Sequence, residues 1–201
     1  SGGSIDVDEM KAIMKMQKEF EADLAGILTP EEFENFQLSL SHTAMSMRME
    51  MRTFNPTEQE FRDIFAIRKA FDDEYGYLGL PDAKEERQRR ITAEQDMKKQ
   101  IKSMLGEERY KEYERAQDWK FQNIAKFAER NGLQQEAAIQ VYEMDRIARE
   151  EIDRLRMDGN LDHQKQLEVI RELEAETDNN IRNLLGEKAF EAYKNGPGRV
   201  R

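Results

Sequence analysis

At 201 residues the chain is long enough to bury one large core or two small ones. It contains no cysteine, which excludes disulfides, zinc–thiolate sites and cysteine nucleophiles, and its formal net charge of −10 disfavours nonspecific binding to nucleic acid or anionic lipid. Charged residues at 37% and hydrophobic ones at 38%, with 10 Phe, 6 Tyr and only 4 Pro, suit long amphipathic helices with solvated outer faces better than a disordered chain.

Residues 1–4, Ser1-Gly2-Gly3-Ser4, read as a linker or cloning scar, compatible with a removed signal peptide. Residues 5–27 form an N-terminal helix, with Met10, Ile13, Met14, Phe20, Leu24 and Ile27 near helical spacing. Leu28-Thr29-Pro30-Glu31-Glu32-Phe33 then starts a second helix: Thr29 caps, Pro30 takes the first turn, Glu32 completes a capping box, and Leu28 and Phe33 form a hydrophobic staple. This helix is expected to run to about Arg52. Asn55, with Pro56 and Glu58 behind it, is expected to cap a third, whose apolar face holds Phe61, Ile64, Phe65, Arg68, Phe71, Tyr75 and Leu78. Gly76 and Gly79-Leu80-Pro81 end it, and Asp82 with Glu85 caps a fourth.

The start at Leu28 recurs as Leu105-Gly106-Glu107-Glu108-Arg109-Tyr110 and as Leu185-Gly186-Glu187-Lys188-Ala189-Phe190. Each copy carries two aromatics three residues apart: Phe33 and Phe36, Tyr110 and Tyr113, Phe190 and Tyr193. From Leu28 and Leu105 onward the two segments align without a gap, placing Met47 on Ile124 and Met51 on Ala128. The Asp158-Gly159-Asn160 turn holds three extra residues, after which Asp162 opens a helix seamed by Leu167, Ile170, Leu173, Thr177, Ile181 and Leu184. The expected fold is therefore all-α, an antiparallel long-helix bundle or array built from a tandem duplication of a three-helix unit. Repeat 1 spans 28–104, repeat 2 spans 105–184, and 185–201 is a terminal partial repeat and tail. About seven long helices and a short last one are expected.

Leu28-Thr29-Pro30-Glu31-Glu32 resembles the LTxxQ motif of small periplasmic helical proteins, the Spy- and CpxP-like envelope-stress chaperones, with Glu in place of Gln. Ile91-Thr92-Ala93-Glu94-Gln95 matches the letters better but lies inside the fourth helix. The resemblance implies an extracytoplasmic, non-enzymatic helical protein and a homodimer. Periplasmic or secreted localisation rests on it, and composition alone leaves the cytoplasm open.

The most unusual local composition is His42-Thr43-Ala44-Met45-Ser46-Met47-Arg48-Met49-Glu50-Met51. His42, Met45 and Met49 share one helical face, and thioether with imidazole suits soft ions such as Cu(I) or Ag(I). The aligned repeat puts Met47 and Met51 in the core and Met45 and Met49, opposite Gln122 and Lys126, in solvent. Met45 and Met49 are thus candidates for contact with a protein partner or client, soft-metal binding being the alternative. Trp119, aligned with His42, is a candidate interface anchor, with structural packing as its default role; Phe121 is assigned to the core. Arg87-Gln88-Arg89-Arg90 reads as a solvated helix face without the aromatics of a nucleic-acid patch. No apolar run approaches membrane-spanning length, so membrane insertion is not expected. With two histidines, no phosphate-cradling glycine loop and no placed nucleophile, the reading is non-catalytic with no resident cofactor; an enzyme with an unrecognised site is the third option.

Overall fold

The computed structural model describes residues 7–76, 84–157 and 162–196, and among these the chain is all α-helix. The helices are α1 (Val7–Ile27), α2 (Pro30–Leu40), α3 (His42–Glu50), α4 (Glu58–Tyr75), α5 (Lys84–Leu105), α6 (Glu107–Gln117), α7 (Trp119–Arg130), α8 (Gln135–Met157), α9 (His163–Leu185) and α10 (Glu187–Asn195). The chain divides into two compact units, Ser1–Tyr113 and Glu114–Arg201. In the first, α2 packs on α3, α3 on α4 and α4 on α5; in the second, α7 packs on α8, α8 on α9 and α9 on α10.

The recurring motif works as a joint that sends a pair of rings into the core. In its first copy Thr29 Oγ1 accepts the Glu32 N–H at 3.3 Å, while the Glu32 carboxylate accepts the Thr29 N–H at 2.8 Å. These bonds satisfy two of the free donors at the start of α2. The second and third copies use glycine differently. The Gly106 N–H donates to the Lys102 carbonyl at the end of α5, and its own carbonyl accepts from the Tyr110 N–H. Gly186 does the same between Arg182 and Phe190. Each glycine thus closes one helix and opens the next, with φ +77, a backbone region open to glycine and costly for other residues. A cation steadies each bend: Lys102 pairs with Glu107 and lies 5.9 Å above the Tyr110 ring, while Arg182 pairs with Glu187 and lies 4.5 Å above Phe190.

Tyr110, Tyr113, Phe190 and Tyr193 are all buried. Tyr113 meets Phe54 edge-on at 5.7 Å, and Tyr193 meets Phe127 at the same centroid distance. Each ring so buried contributes about 2 kcal/mol. Phe33 and Phe36 of the first copy are only half-buried, and Phe36 packs on Phe20 of α1 at 6.2 Å.

The structure corrects three expectations. The helix after the first motif does not run unbroken to Arg52. Ser41 stands extended, and its Oγ accepts the Ala44 N–H at 3.1 Å, so α2 ends and α3 begins there. Asp118 breaks the aligned position after the second motif, its Oδ1 accepting the Lys120 N–H at 2.8 Å. A short polar side chain that can cap from within offers the backbone an alternative to continuing the helix. These breaks give ten helices among the described residues where about eight were expected. The cap of α4 is Thr57 with Glu60, not Asn55 with Glu58, because Asn55 adopts φ +49 and the capping box closes two residues later. Asp162 precedes α9 as expected but forms no side-chain cap. Leu78, Gly79-Leu80-Pro81, Asp82, the Asp158-Gly159-Asn160 turn, Ser1–Ser4 and the end of the tail lie outside the described residues.

Glu60 also ties α4 to α6. Both its oxygens accept from the Arg109 guanidinium, at 2.8 and 2.9 Å, and that guanidinium lies 3.8 Å from the centre of the Phe54 ring. The Arg109 bonds, helped by the Thr57 N–H, hold the Glu60 carboxyl at about 2, well below its ordinary 4.5. A depressed carboxyl stabilises the fold above its unfolded pKa and loses that contribution as pH falls toward the folded value. The stability gap between the native chain and Glu60→Gln should therefore be full at neutral pH and close between about pH 4.5 and 2, as followed by urea unfolding. Gly186→Ala should cost about 1–3 kcal/mol in the same assay from backbone conformation alone, since a Cβ there meets nothing within 4 Å.

Candidate functional site

The orientation of α3 decides which of its residues face outward, and a network of polar groups sets that orientation. Thr43, Ala44 and Met47 are buried, as is Met51 just beyond the helix. Thr43 Oγ1 donates to Asp72 Oδ2 of α4 at 2.5 Å. Glu50 accepts from the Arg68 guanidinium and from Ser46 Oγ, both at 2.6 Å. Arg48 reaches back to cap the open end of α2, donating to the carbonyls of Leu38 at 2.6 Å and Ser39 at 2.7 Å, and it lies over the Phe61 ring.

Burial pushes the Glu50 carboxyl up, but Arg68 and Ser46 together outweigh it and hold Glu50 below its ordinary value. Asp72 goes the other way: burial dominates over Thr43 and Arg68, and its carboxyl rises. Burial alone would lower Arg68 and Lys69, yet their carboxylate partners raise both. Lys69 is held by Asp73 at 2.5 Å and by Glu21 of α1 at 3.0 Å.

With its inner face fixed in this way, α3 turns His42, Met45 and Met49 outward together, as their spacing requires. Met45 is 49% exposed and Met49 79%, one helical turn apart, and Leu40 beside the break is also exposed. The division into buried Met47 and Met51 and exposed Met45 and Met49 is the one the aligned repeat indicates. His42 adds a minor electrostatic attraction to Glu50 and Asp72. Trp119 sits in the second unit as the first residue of α7, 50% exposed, with Lys120 Nζ 5.9 Å from its ring. Phe121 beside it is buried against Tyr142, as assigned.

Position 68 has a counterpart in the second unit with the sign reversed. Arg68 is coupled to Asp72 one turn on and to Tyr113 of the motif. In the second unit Asp145 faces Arg149 one turn on at 4.0 Å, and Tyr193 of the next motif copy donates its hydroxyl to Asp145 at 3.1 Å.

The polar network escaped the sequence reading, although an arginine within the apolar face of the third helix was a signal that a buried cation would need carboxylates. Arg90 of the basic cluster is structural, donating to the Tyr75 carbonyl at 2.7 Å and lying over Phe71, while its neighbours from Arg87 to Arg89 are solvated. Among the described residues no three His, Asp or Glu side chains gather where they could hold a metal ion, so a metal at α3 would rest on thioether sulfur and one imidazole. Also among them, no helix is long and apolar enough to cross a membrane. Comparison with protein-family models, with curated proteins and with solved structures finds no match.

Arg68→Met should cost about 2–3 kcal/mol in urea unfolding, because Glu50 and Asp72 lose the cation that compensates them. Thr43→Val, which strands one Asp72 oxygen, should cost about 1–2 kcal/mol.

Proposed function

We propose that this chain is a non-catalytic binding or scaffold protein that engages a protein partner or an unfolded client through Met45 and Met49 on α3. The observation that carries the reading is their exposure beside buried Met47 and Met51, on a helix tied to α4 by a half-buried polar network. Methionine is unbranched and polarizable, so exposed pairs of it adapt to varied apolar surfaces. A chaperone-like role outside the cytoplasm is the form of this reading that the LTxxQ resemblance suggests. The test is suppression of aggregation of an unfolded client by the native chain and by Met45→Ser/Met49→Ser. The variant should keep its helical circular dichroism and need roughly tenfold more protein for the same effect. Equal suppression by both proteins, or none by either at excess, would refute the surface assignment.

The second reading is a soft-metal site, favoured by His42, Met45 and Met49 facing solvent together. It ranks below partner binding because exposed apolar side chains most often mark contact surfaces. Titration with Ag(I) should show tight binding that Met45→Leu/Met49→Leu abolishes; retained binding would place the ion elsewhere.

A further inference from the structure

Helix α1 carries an apolar seam that the first unit leaves largely exposed. Ile13, Met16, Phe20 and Ile27 are 45%, 67%, 55% and 79% exposed, with half-buried Leu24 among them. At 100° per residue these five fall within about 80° of the helix circumference, the narrow stripe of a helix-pairing surface. Contacts of α1 with its own unit fall mainly on a neighbouring face, where Met14 lies against Gly76 and Glu21 binds Lys69; on the seam itself the edge of Phe20 meets Phe36 at 6.2 Å and leaves the ring 55% exposed.

The same seam is covered elsewhere in the molecule. Helices α5 and α9 precede the second and third motif copies as α1 precedes the first. Leu24 stands four residues before Leu28; Ile101 and Ile181 stand four before Leu105 and Leu185, and both are fully buried. Ile13 stands fifteen before Leu28, and Ile170, fifteen before Leu185, is buried. In those cases the helix before, α4 or α8, packs against the seam-bearing helix.

We propose that α1 pairs with α1 of a second copy of this chain, antiparallel, about a two-fold axis through Phe20. The spacing of the seam is palindromic: 13, 16, 20, 24 and 27 read the same in both directions. An antiparallel pair then sets Phe20 on Phe20, Met16 on Leu24 and Ile13 on Ile27, the reciprocal matching that an isologous interface requires. A different partner would place no such condition on the spacing. At roughly 200 Å² per large side chain, the four exposures leave about 500 Å² on one seam, so two seams remove about 1,000 Å², the lower bound for a specific interface.

Sedimentation equilibrium of the full chain from about 1 to 500 μM tests the pairing, with the expected result a monomer–dimer equilibrium in the micromolar range. Phe20→Glu and Phe20→Lys should each weaken the dimer at least tenfold with unchanged circular dichroism, and an equimolar mixture of the two should restore it. Because the chain has no cysteine, Ile13→Cys should form a disulfide with Ile27→Cys on oxidation and far less with itself. A monomer at every concentration, a dimer indifferent to Phe20→Glu, or crosslinking of Ile13→Cys mainly to itself would overturn the proposal. The client assay on Met45→Ser/Met49→Ser leaves α1 untouched, so the two readings fail separately.

Discussion

Two rings spaced three apart at the start of a short helix have to be buried by the helices that come before them, and this constraint organises the chain. Tyr110 with Tyr113 and Phe190 with Tyr193 meet it fully. The positive-φ glycine ahead of each pair sets the direction in which the new helix leaves the old one, so backbone conformation and ring burial serve each other. A different residue at Gly106 or Gly186 would strain the bend; a smaller one at Tyr113 or Phe190 would leave the bend without purpose. The first copy has a threonine cap in place of the glycine, and its rings stay half-buried. These half-buried rings adjoin the exposed seam of α1, Phe36 meeting Phe20 at 6.2 Å.

The outward face of α3 depends on charges behind it. A buried network of this kind contributes little net stability, since desolvation offsets much of the attraction between its members. Its value lies in allowing one orientation of α3 on α4: rotating α3 by one residue would part Thr43 from Asp72 and Glu50 from Arg68. The exposed methionines thus stand on a helix tied to α4 by two side-chain hydrogen bonds.

Helix content, the three joints and the inside-outside division of the methionines were legible because they follow from periodicity and from the chemistry of caps. The helix breaks at Ser41 and Asp118 were not, since each is a single polar residue in an otherwise continuous apolar pattern, and only tertiary packing decides whether it caps or stays helical. The cap at Thr57 was missed because Asn55-Pro56 offered an equally good local signal, and the left-handed backbone of Asn55 moved the start two residues on. For the candidate site, spacing identified His42, Met45 and Met49 as one face, but the carboxylates coupled to His42 come from both α3 and the distant α4. The exposure of α1 was likewise beyond periodicity, which reports that a seam exists and is silent on what lies against it.

The reversed charges at positions 68 and 145 bear on how a self-similar chain avoids confusing its own parts. Segments that resemble one another can dock in each other's places while the chain collapses, a characteristic hazard of repeats. Here the second aromatic of the motif lies in the field of Arg68 in one unit and donates its hydroxyl to Asp145 in the other. The inversion gives the two units different charge neighbours at a point where their sequences align.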